Sequence, residues 1–439
     1  MKIKICTILF LISGIVSTSN SFAQGGKVYK SAFISGATLH LGNGKVIEKG
    51  AIAFKEGKIT MVLTADELAA IRINRTDFDT LFDATGKHIY PGFIAPNSTL
   101  GLNEVDAVRA TQDYQEVGEF NPHIRSLISY NTDSKVTPTV KFNGVLYGQI
   151  TPRGGKISGK SSIFALDGWN WEDAVLKADD GIHLNFPRTM QRNGWWSDNP
   201  GISTNENFTK EIQSIRTFFT DARAYSRSLG IVETNLRFEA MKGLFTGNTT
   251  LYIHSDYVKD LESAIAFVKE FGIKKTVLVG ARDAWKITKL LKQNNIAVML
   301  NRVHDLPEYD EDDIDLCFKT PFLLYKDSVS FCLQNAGDME GMNTRNLPFL
   351  AGTAAAYGLP IEEAVACISL QAAKIMGIDK EIGSLEKGKR ASFFISSGNA
   401  LDMKSNNVEI AFIDGRKINL ENNQELLYKK YVNKYNLKK

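Results

Sequence analysis

The stretch Tyr90-Pro-Gly-Phe-Ile-Ala-Pro-Asn-Ser-Thr-Leu-Gly-Leu102 decides how the rest of the chain is interpreted. It opens with the apolar residues Phe93 and Ile94 and continues into the polar side chains of Asn97 and Thr99. Both polar side chains offer neutral oxygen atoms, which are poor ligands for zinc. A strand with this polar end does not by itself predict a metal site.

Segments rich in predicted β-strands lie on both sides of a long middle region. Residues 28–63 alternate apolar and polar side chains and are interrupted by turn signals such as Gly42-Asn-Gly-Lys45, which predicts hairpin strands. The same pattern returns in residues 391–396 and 408–418. We therefore predict one small β-sandwich built from residues 24–90 and 383–420.

The middle region, residues 91–382, alternates strand-like and helix-like segments. Thr250–His254 predicts a strand, Tyr257–Phe271 a helix and Thr276–Val279 the next strand. Repeated βα units indicate a parallel sheet, and the length of the region suits a (β/α)8 barrel with insertions. We expect residues 421–439 to form a solvated, lysine-rich helical tail.

Composition and the N-terminus limit the partners and the location. Hydrophobic residues make up 43% and charged residues 23% of the chain, and the net charge of +3 is too small to predict nucleic-acid binding. Residues 1–23 combine Lys2 and Lys4 with an apolar run and small residues before Ala23, a pattern typical of a signal peptide. We expect cleavage after Ala23, an exported protein that is periplasmic or extracellular, and no membrane span.

Four separated motifs carry a family resemblance. They are Pro91-Gly-Phe-Ile94, the segment Gly352–Ala364, Leu370-Gln-Ala-Ala-Lys-Ile-Met-Gly377 and Ile382-Gly-Ser-Leu-Glu-Lys-Gly-Lys389. In this order the chain resembles the amidohydrolase superfamily, in particular the imidazolonepropionase-like amidohydrolases. The resemblance implies an α/β fold, a TIM-like metal-dependent hydrolase barrel plus the composite sandwich. It also implies hydrolysis of non-peptide C–N bonds in cyclic amides, acylated amino acids or dipeptide-like substrates.

Hydrolysis in this family depends on a divalent metal such as zinc, which lowers the pKa of bound water. The family's metal ligands come from the ends of strands one, five, six and eight. The corresponding positions here read Asn97 and Thr99, His254, Gly280 and Asn335. His254 alone remains a candidate metal ligand, and the other four positions are degenerate. A strand-four lysine cannot be placed, and residues 179–185 are the nearest region.

Two hypotheses from different classes remain open. In the first, a divergent hydrolase uses His254 with Asp338, Glu340 or a metal site late in the chain. In the second, the chain is a non-catalytic protein that binds a small molecule, with Gln334 and Arg153 as further pocket candidates. Such a protein could also form a homo-oligomer or pair with an active relative.

Two further features invite functional interpretation. Residues 154–161 match the phosphate-loop pattern GxxxxGK[ST], but the following Ser162-Ile-Phe-Ala-Leu166 predicts a strand instead of the helix that such a loop requires. We interpret the glycines as a turn at a βα junction. A tryptophan cluster is expected to pack in the core or to line a pocket or an oligomer interface; its members are Trp169, Trp171, Trp195 and Trp196.

Overall fold

A computed structural model describes residues 27–193, 201–228, 230 and 233–437. The predicted signal peptide, Trp195 and Trp196 lie outside these residues. The described part contains eighteen β-strands: β1 Ser31–His40, β2 Val46–Lys55, β3 Lys58–Leu63, β4 Thr80–Asp83, β5 His88–Pro91, β6 Phe93–Ser98, β7 Val145–Ile150, β8 Ile157–Ala165, β9 Val175–Asn185, β10 Met190–Asn193, β11 Gly201–Thr204, β12 Thr250–Ser255, β13 Thr276–Gly280, β14 Ala297–Leu300, β15 Phe331–Leu333, β16 Phe393–Ser396, β17 Val408–Ile413 and β18 Arg416–Lys417.

The α-helices of the described part lie mostly between the later strands. They are α1 Ala65–Ala70, α2 Ser126–Ser129, α3 Thr137–Lys141, α4 Trp171–Ala174, α5 Phe208–Arg227, α6 Leu236–Thr246, α7 Val258–Phe271, α8 Thr288–Gln293, α9 Leu316–Lys326, α10 Glu340–Asn343, α11 Leu347–Ala356, α12 Ile361–Cys367, α13 Leu370–Met376 and α14 Asn423–Tyr435. Among them, none is both long and apolar enough to cross a membrane.

One eight-stranded sheet is built from both ends of the chain. Its order is β18-β17-β16-β5-β1-β2-β3, with β4 added beside β1. Strand β16 pairs antiparallel with β5, so that Phe393 faces Pro91 and Ser396 faces His88 across the ladder. The rings of Phe54, Phe393 and Phe412 pack with centroids 5.1 to 6.1 Å apart in its core. This sheet confirms the predicted composite β-domain.

A second eight-stranded sheet forms the barrel, in the order β15-β14-β13-β12-β9-β8-β7-β6. The strands β12 to β15 pair in parallel with their neighbours, as do β9 with β12 and β6 with β7. Within the described residues no backbone ladder joins β6 to β15, so the barrel is nearly closed. The predicted TIM-like barrel is confirmed.

Strand β8 departs from the expected parallel arrangement. It runs antiparallel to both β7 and β9. Only residues 151–156 connect β7 to β8, and a parallel crossover needs a dozen or more residues. The phosphate-loop match therefore spans the end of this connection and the first residues of β8, between antiparallel strands, and its interpretation as a βα junction was wrong. The strand predicted after it is present within Ile157–Ala165.

Candidate ligand site at the carboxyl ends of the barrel strands

The parallel strands bring the predicted site positions to one end of the barrel. Asn97 lies near the end of β6 and Thr99 directly after it, His254 lies in β12, and Gly280 ends β13. Asn335 follows β15 by two residues. In (β/α)8 barrels this end, the carboxyl ends of the strands, carries ligand sites.

Hydrogen-bonded amide side chains cross this end of the barrel. Asn97 adopts a φ of 49°, a left-handed conformation that asparagine tolerates, and its N–H donates to Gln149 Oε1 at 3.0 Å. Asn97 Nδ2 donates to Gln334 Oε1, and Gln334 Nε2 donates to Asn301 Oδ1, both at 3.2 Å. We call Gln149, Asn97, Gln334 and Asn301 the amide chain. It joins β6 to β15 by side chains at the seam where backbone pairing is missing.

Two histidines on the neighbouring strands β9 and β12 form a second polar group. His183 Nδ1 and His254 Nε2 lie 2.9 Å apart, so one ring donates a hydrogen bond to the other. Burial and the positive charge of Arg153 lower the pKa of His254 to about 3. Burial, His254 and Arg153 hold the pKa of His183 well below its usual value. Both imidazoles are therefore uncharged near neutral pH.

Arg153 and Glu340, two of the predicted pocket residues, are bonded to each other. Arg153 Nη2 donates to Glu340 Oε2 at 3.1 Å and to the backbone oxygen of Asn97 at 2.8 Å. Glu340 also accepts from the N–H of Gly337 at 3.2 Å. The carboxylate of Glu340 is neutralised by this ion pair. Asp338, the other candidate carboxylate, is exposed.

The backbone at the end of β13 disfavours the histidine that the resemblance would put at Gly280. Gly280 has a φ of +91°, and a Cβ atom there would lie 2.5 Å from Asp256 Oδ1. Asp256 accepts from Asn301 Nδ2 at 3.3 Å and from Arg188 Nη2 at 3.3 Å. Burial raises its pKa. The carboxylate at this strand end therefore comes from the residue that follows β12.

Similarity to known proteins agrees with this architecture. A sequence model of the Amidohydrolase family matches residues 252–418. The 5'-deoxyadenosine deaminase of Methanobrevibacter smithii is 23% identical over 428 residues, covering 86% of this chain and 93% of the deaminase. The imidazolonepropionase of Symbiobacterium thermophilum is 23% identical over 400 residues, covering 80% and 84%. An amidohydrolase structure from Thermotoga maritima superposes with a TM-score of 0.74 at 24% identity, over 88% of this chain and 99% of its own.

Residues 252–418 match the Amidohydrolase family, and the chain as a whole is similar to proteins of the amidohydrolase superfamily.

The superfamily's metal does not fit the residues present. A catalytic zinc site takes about three protein ligands and an open position. Among the described residues, no group of three or more histidine, cysteine, aspartate or glutamate side chains is arranged to hold a metal ion. Asn97 and Thr99 offer neutral oxygens, and the nearby carboxylate of Glu340 is paired with Arg153. We derive no chemical step through a metal.

Several buried polar atoms at this end have no hydrogen-bond partner among the described residues. They are Asn97 Oδ1, Thr99 Oγ1, His183 Nε2, Ser255 Oγ and Asn335 Nδ2. Buried polar groups are almost always paired with protein or with ordered water. Five such atoms at the carboxyl ends of four strands of the barrel indicate a position for water or for a polar ligand.

Sequence reasoning found one histidine of the pair and missed the other. His183 was included only in the region 179–185, as the nearest candidate region for a lysine. Its position in the sheet depends on the irregular ladder between β8 and β9, which the local sequence does not predict. Asp256, Gln149 and Asn301 were also missed. A local signal existed for Asp256, which lies two residues after His254 at a strand end.

Only two members of the predicted tryptophan cluster, Trp169 and Trp171, lie within the described residues. Trp169 is 64% exposed, whereas Trp171 begins α4 and packs against the main core. His304 lies in a loop and contacts Thr353 Oγ1 at 2.6 Å. None of these side chains is part of the amide chain or the histidine pair.

Proposed function

We propose that this chain is a ligand-binding member of the amidohydrolase superfamily that recognises a small neutral molecule at the carboxyl ends of its barrel strands without a metal. The unpartnered buried atoms carry the proposal. Asn97 Oδ1 is an acceptor, Asn335 Nδ2 is a donor and Thr99 Oγ1 is either. An amide or lactam offers a matching N–H and carbonyl oxygen.

The names of the relatives support a nitrogen-containing ligand. One relative is named for a deoxyadenosine and the other for an imidazolone, and both compounds contain nitrogen heterocycles. Neither heterocyclic ring is charged near neutral pH. The neutral histidine pair and the paired Arg153 and Glu340 leave this end of the barrel with little net charge, which favours a neutral ring over an anion.

Hydrolysis of a non-peptide C–N bond is the second candidate. The observation that favours it is the histidine pair: His183 Nε2 has no partner among the described residues, and in the tautomer with the proton on Nδ1 it can accept a hydrogen bond from water. In this version His183 and His254 act as a general base and its positioning partner. A cyclic amide, an acylated amino acid or a dipeptide-like molecule would be the substrate.

Metal analysis with a turnover assay separates the two candidates. We expect the chain from residue 24, incubated with zinc and dialysed, to retain well under one zinc per chain and to leave N-acyl amino acids, dipeptides and hydantoin intact. The matched variant is Asn97→His with Thr99→His, which adds two imidazoles beside His254 and should gain zinc. Position 280 stays unchanged because its φ of +91° would strain any side chain there. Turnover by the wild type that is lost in His183→Gln would support hydrolysis instead.

Ligand binding is tested directly by thermal unfolding with neutral lactams and imides such as hydantoin and uracil. A ligand at 100 times its dissociation constant stabilises the folded chain by about 2.7 kcal/mol. We expect a rise in Tm for the wild type and a much smaller rise for Thr99→Val, which removes one unpartnered hydroxyl without changing the side-chain volume. An equal rise in both proteins, or none with any compound, would contradict the proposed site.

We also propose that the chain is exported. The positively charged start, the short apolar run and the small residues before Ala23 support this location. Expression of the full-length chain in a host with two membranes should yield a periplasmic protein whose intact mass begins at Gln24. An uncleaved cytoplasmic product would contradict it.

A further inference from the structure

A cleft of about 510 Å³ lies at the opposite end of the barrel, at the amino ends of β12 to β15. It is separated from the candidate ligand site by the length of these strands. Its volume lies within the range that small-molecule sites occupy. Neither the proposed function nor the family resemblance uses this end of the barrel.

The cleft is lined by positive charge without negative charge. Its lining contains five lysines and neither aspartate nor glutamate; the lysines are Lys177, Lys274, Lys275, Lys292 and Lys374, which we call the lysine cleft. The ammonium of Lys177 is engaged, at 2.6 Å from both Asp180 Oδ1 and the backbone oxygen of Met376. In the part of the chain that the structure describes, the other four form no ion pair.

A buried hydroxyl provides an independent indication of a ligand. Thr276, the first residue of β13, lines the cleft and is only 7% exposed. Its Oγ1 atom has no hydrogen-bond partner among the described residues. Buried hydroxyls are normally paired, and this one belongs to a residue in the wall of the cleft, so that a ligand in the cleft would be next to it.

Helix dipoles account for part of the lysine cleft but not for all of it. Lys292 and Lys374 lie in the last turns of α8 and α13, where a positive charge is favourable against the helix carboxyl terminus. Lys274 and Lys275 lie in the connection between α7 and β13 and have no such role. The dipole explanation also leaves the Thr276 hydroxyl unpaired.

We propose that the lysine cleft binds a small phosphorylated anion with at least two negative charges. Lysine ammonium groups bind phosphate as point charges, and a threonine hydroxyl can donate to a phosphate oxygen. Several ammonium groups around one cleft favour an anion that spans them over a single phosphate. This site is separate from the proposed ligand site and does not depend on it.

Calorimetric titration with inorganic pyrophosphate at about 100 mM salt tests the proposal on the mature chain. The wild type should bind one pyrophosphate per chain and bind inorganic phosphate more weakly. The double variant Lys274→Ala with Lys275→Ala should weaken binding roughly tenfold, as expected for the loss of two exposed charge contacts. The matched control, Lys429→Ala with Lys430→Ala on α14, removes the same charge outside the cleft and should change binding less than twofold.

Thr276 gives a second test that does not alter charge. Thr276→Val should weaken pyrophosphate binding roughly threefold, consistent with one hydrogen bond, and Thr276→Ser should restore it. Equal weakening by both lysine double variants, more than one pyrophosphate per chain, or no binding at this salt concentration would overturn the proposal. Tighter binding of a hexaglutamate peptide than of pyrophosphate would also overturn it, because it would indicate an acidic protein partner. Unchanged Tm values establish that the variants are folded.

Discussion

Polar side chains are buried and hydrogen-bonded at one end of the barrel, whereas they are exposed and mostly unpaired at the other. At the carboxyl ends of the strands, the amide chain and the histidine pair are uncharged and largely buried. The side chains within each group are hydrogen-bonded to each other. At the amino ends, the lysine cleft keeps its charges exposed and mostly unpaired. A metal-dependent hydrolase concentrates its charge where this chain has amides. The difference teaches that similarity to the superfamily predicts the barrel better than it predicts which end carries electrostatic chemistry.

Asp180 contacts one residue from each of these two ends of the barrel. It is buried and accepts from Gln149 Nε2 at 2.8 Å and from the hydroxyl of Tyr252 at 2.6 Å, while Lys177 approaches its other oxygen. Gln149 belongs to the amide chain and Lys177 to the lysine cleft. Removing this one carboxylate is therefore the strongest way to disturb both ends together.

We expect Asp180→Ala to lower the free energy of unfolding by about 3–5 kcal/mol, because it leaves buried donors and an ammonium without their partner. Urea unfolding followed by circular dichroism measures the loss. Asp221→Ala, an exposed aspartate in α5, is the control and should stay within about 0.5 kcal/mol. A loss below about 1 kcal/mol would mean that the two ends are independent.

Gln334→Leu tests the buried end alone. Leucine keeps approximately the volume of glutamine, but it leaves Asn97 Nδ2, the N–H of Ala336 and Asn301 Oδ1 without their hydrogen-bond partner. We expect a loss of about 1–3 kcal/mol in the same urea experiment. Gln424→Leu on the exposed face of α14 is the matched control and should be nearly neutral. Equal effects would mean that the amide chain does not stabilise the barrel seam.

The sequence predicted the barrel and the composite sheet because both depend on local patterns. Period-two alternation, turn residues and the Pro91-Gly-Phe-Ile94 run are visible within short windows. The sequence also predicted that the candidate site residues lie at one end of the barrel, because parallel strands place their carboxyl ends together.

Reasoning from the sequence missed the features that depend on distant pairing. His183 precedes His254 by 71 residues, and Asn97 precedes Gln334 by 237. Whether such residues meet depends on strand order and register, and the antiparallel β8 changes both for the strand that carries His183. The residue types alone indicated that the site is uncharged, whereas the hydrogen bonds between those residues could not be predicted from the sequence.

The remaining predicted effect concerns the charge state of the buried end and disappears near neutral pH. The pKa of His254 is lowered to about 3 by burial, against an ordinary value near 6.5. Between these values the unfolded chain binds a proton that the folded chain does not, so this histidine makes stability rise with pH and contributes fully above pH 6.5. We expect His254→Gln to reduce the slope of unfolding free energy against pH by about 1.4 kcal/mol per pH unit between pH 4 and 6.

Urea unfolding at pH 4, 5, 6 and 7 measures that slope in the wild type and in the variant. Taking the difference cancels the carboxylates that both proteins share. His304→Gln is the control, because His304 lies in a loop where burial lowers its pKa less severely, and it should change the slope by a smaller amount. If His254→Gln leaves the slope unchanged, the imidazole at the carboxyl ends is already hydrated and able to accept a proton. The two ends of the barrel would then both carry charge in acid, and their contrast would be confined to neutral pH.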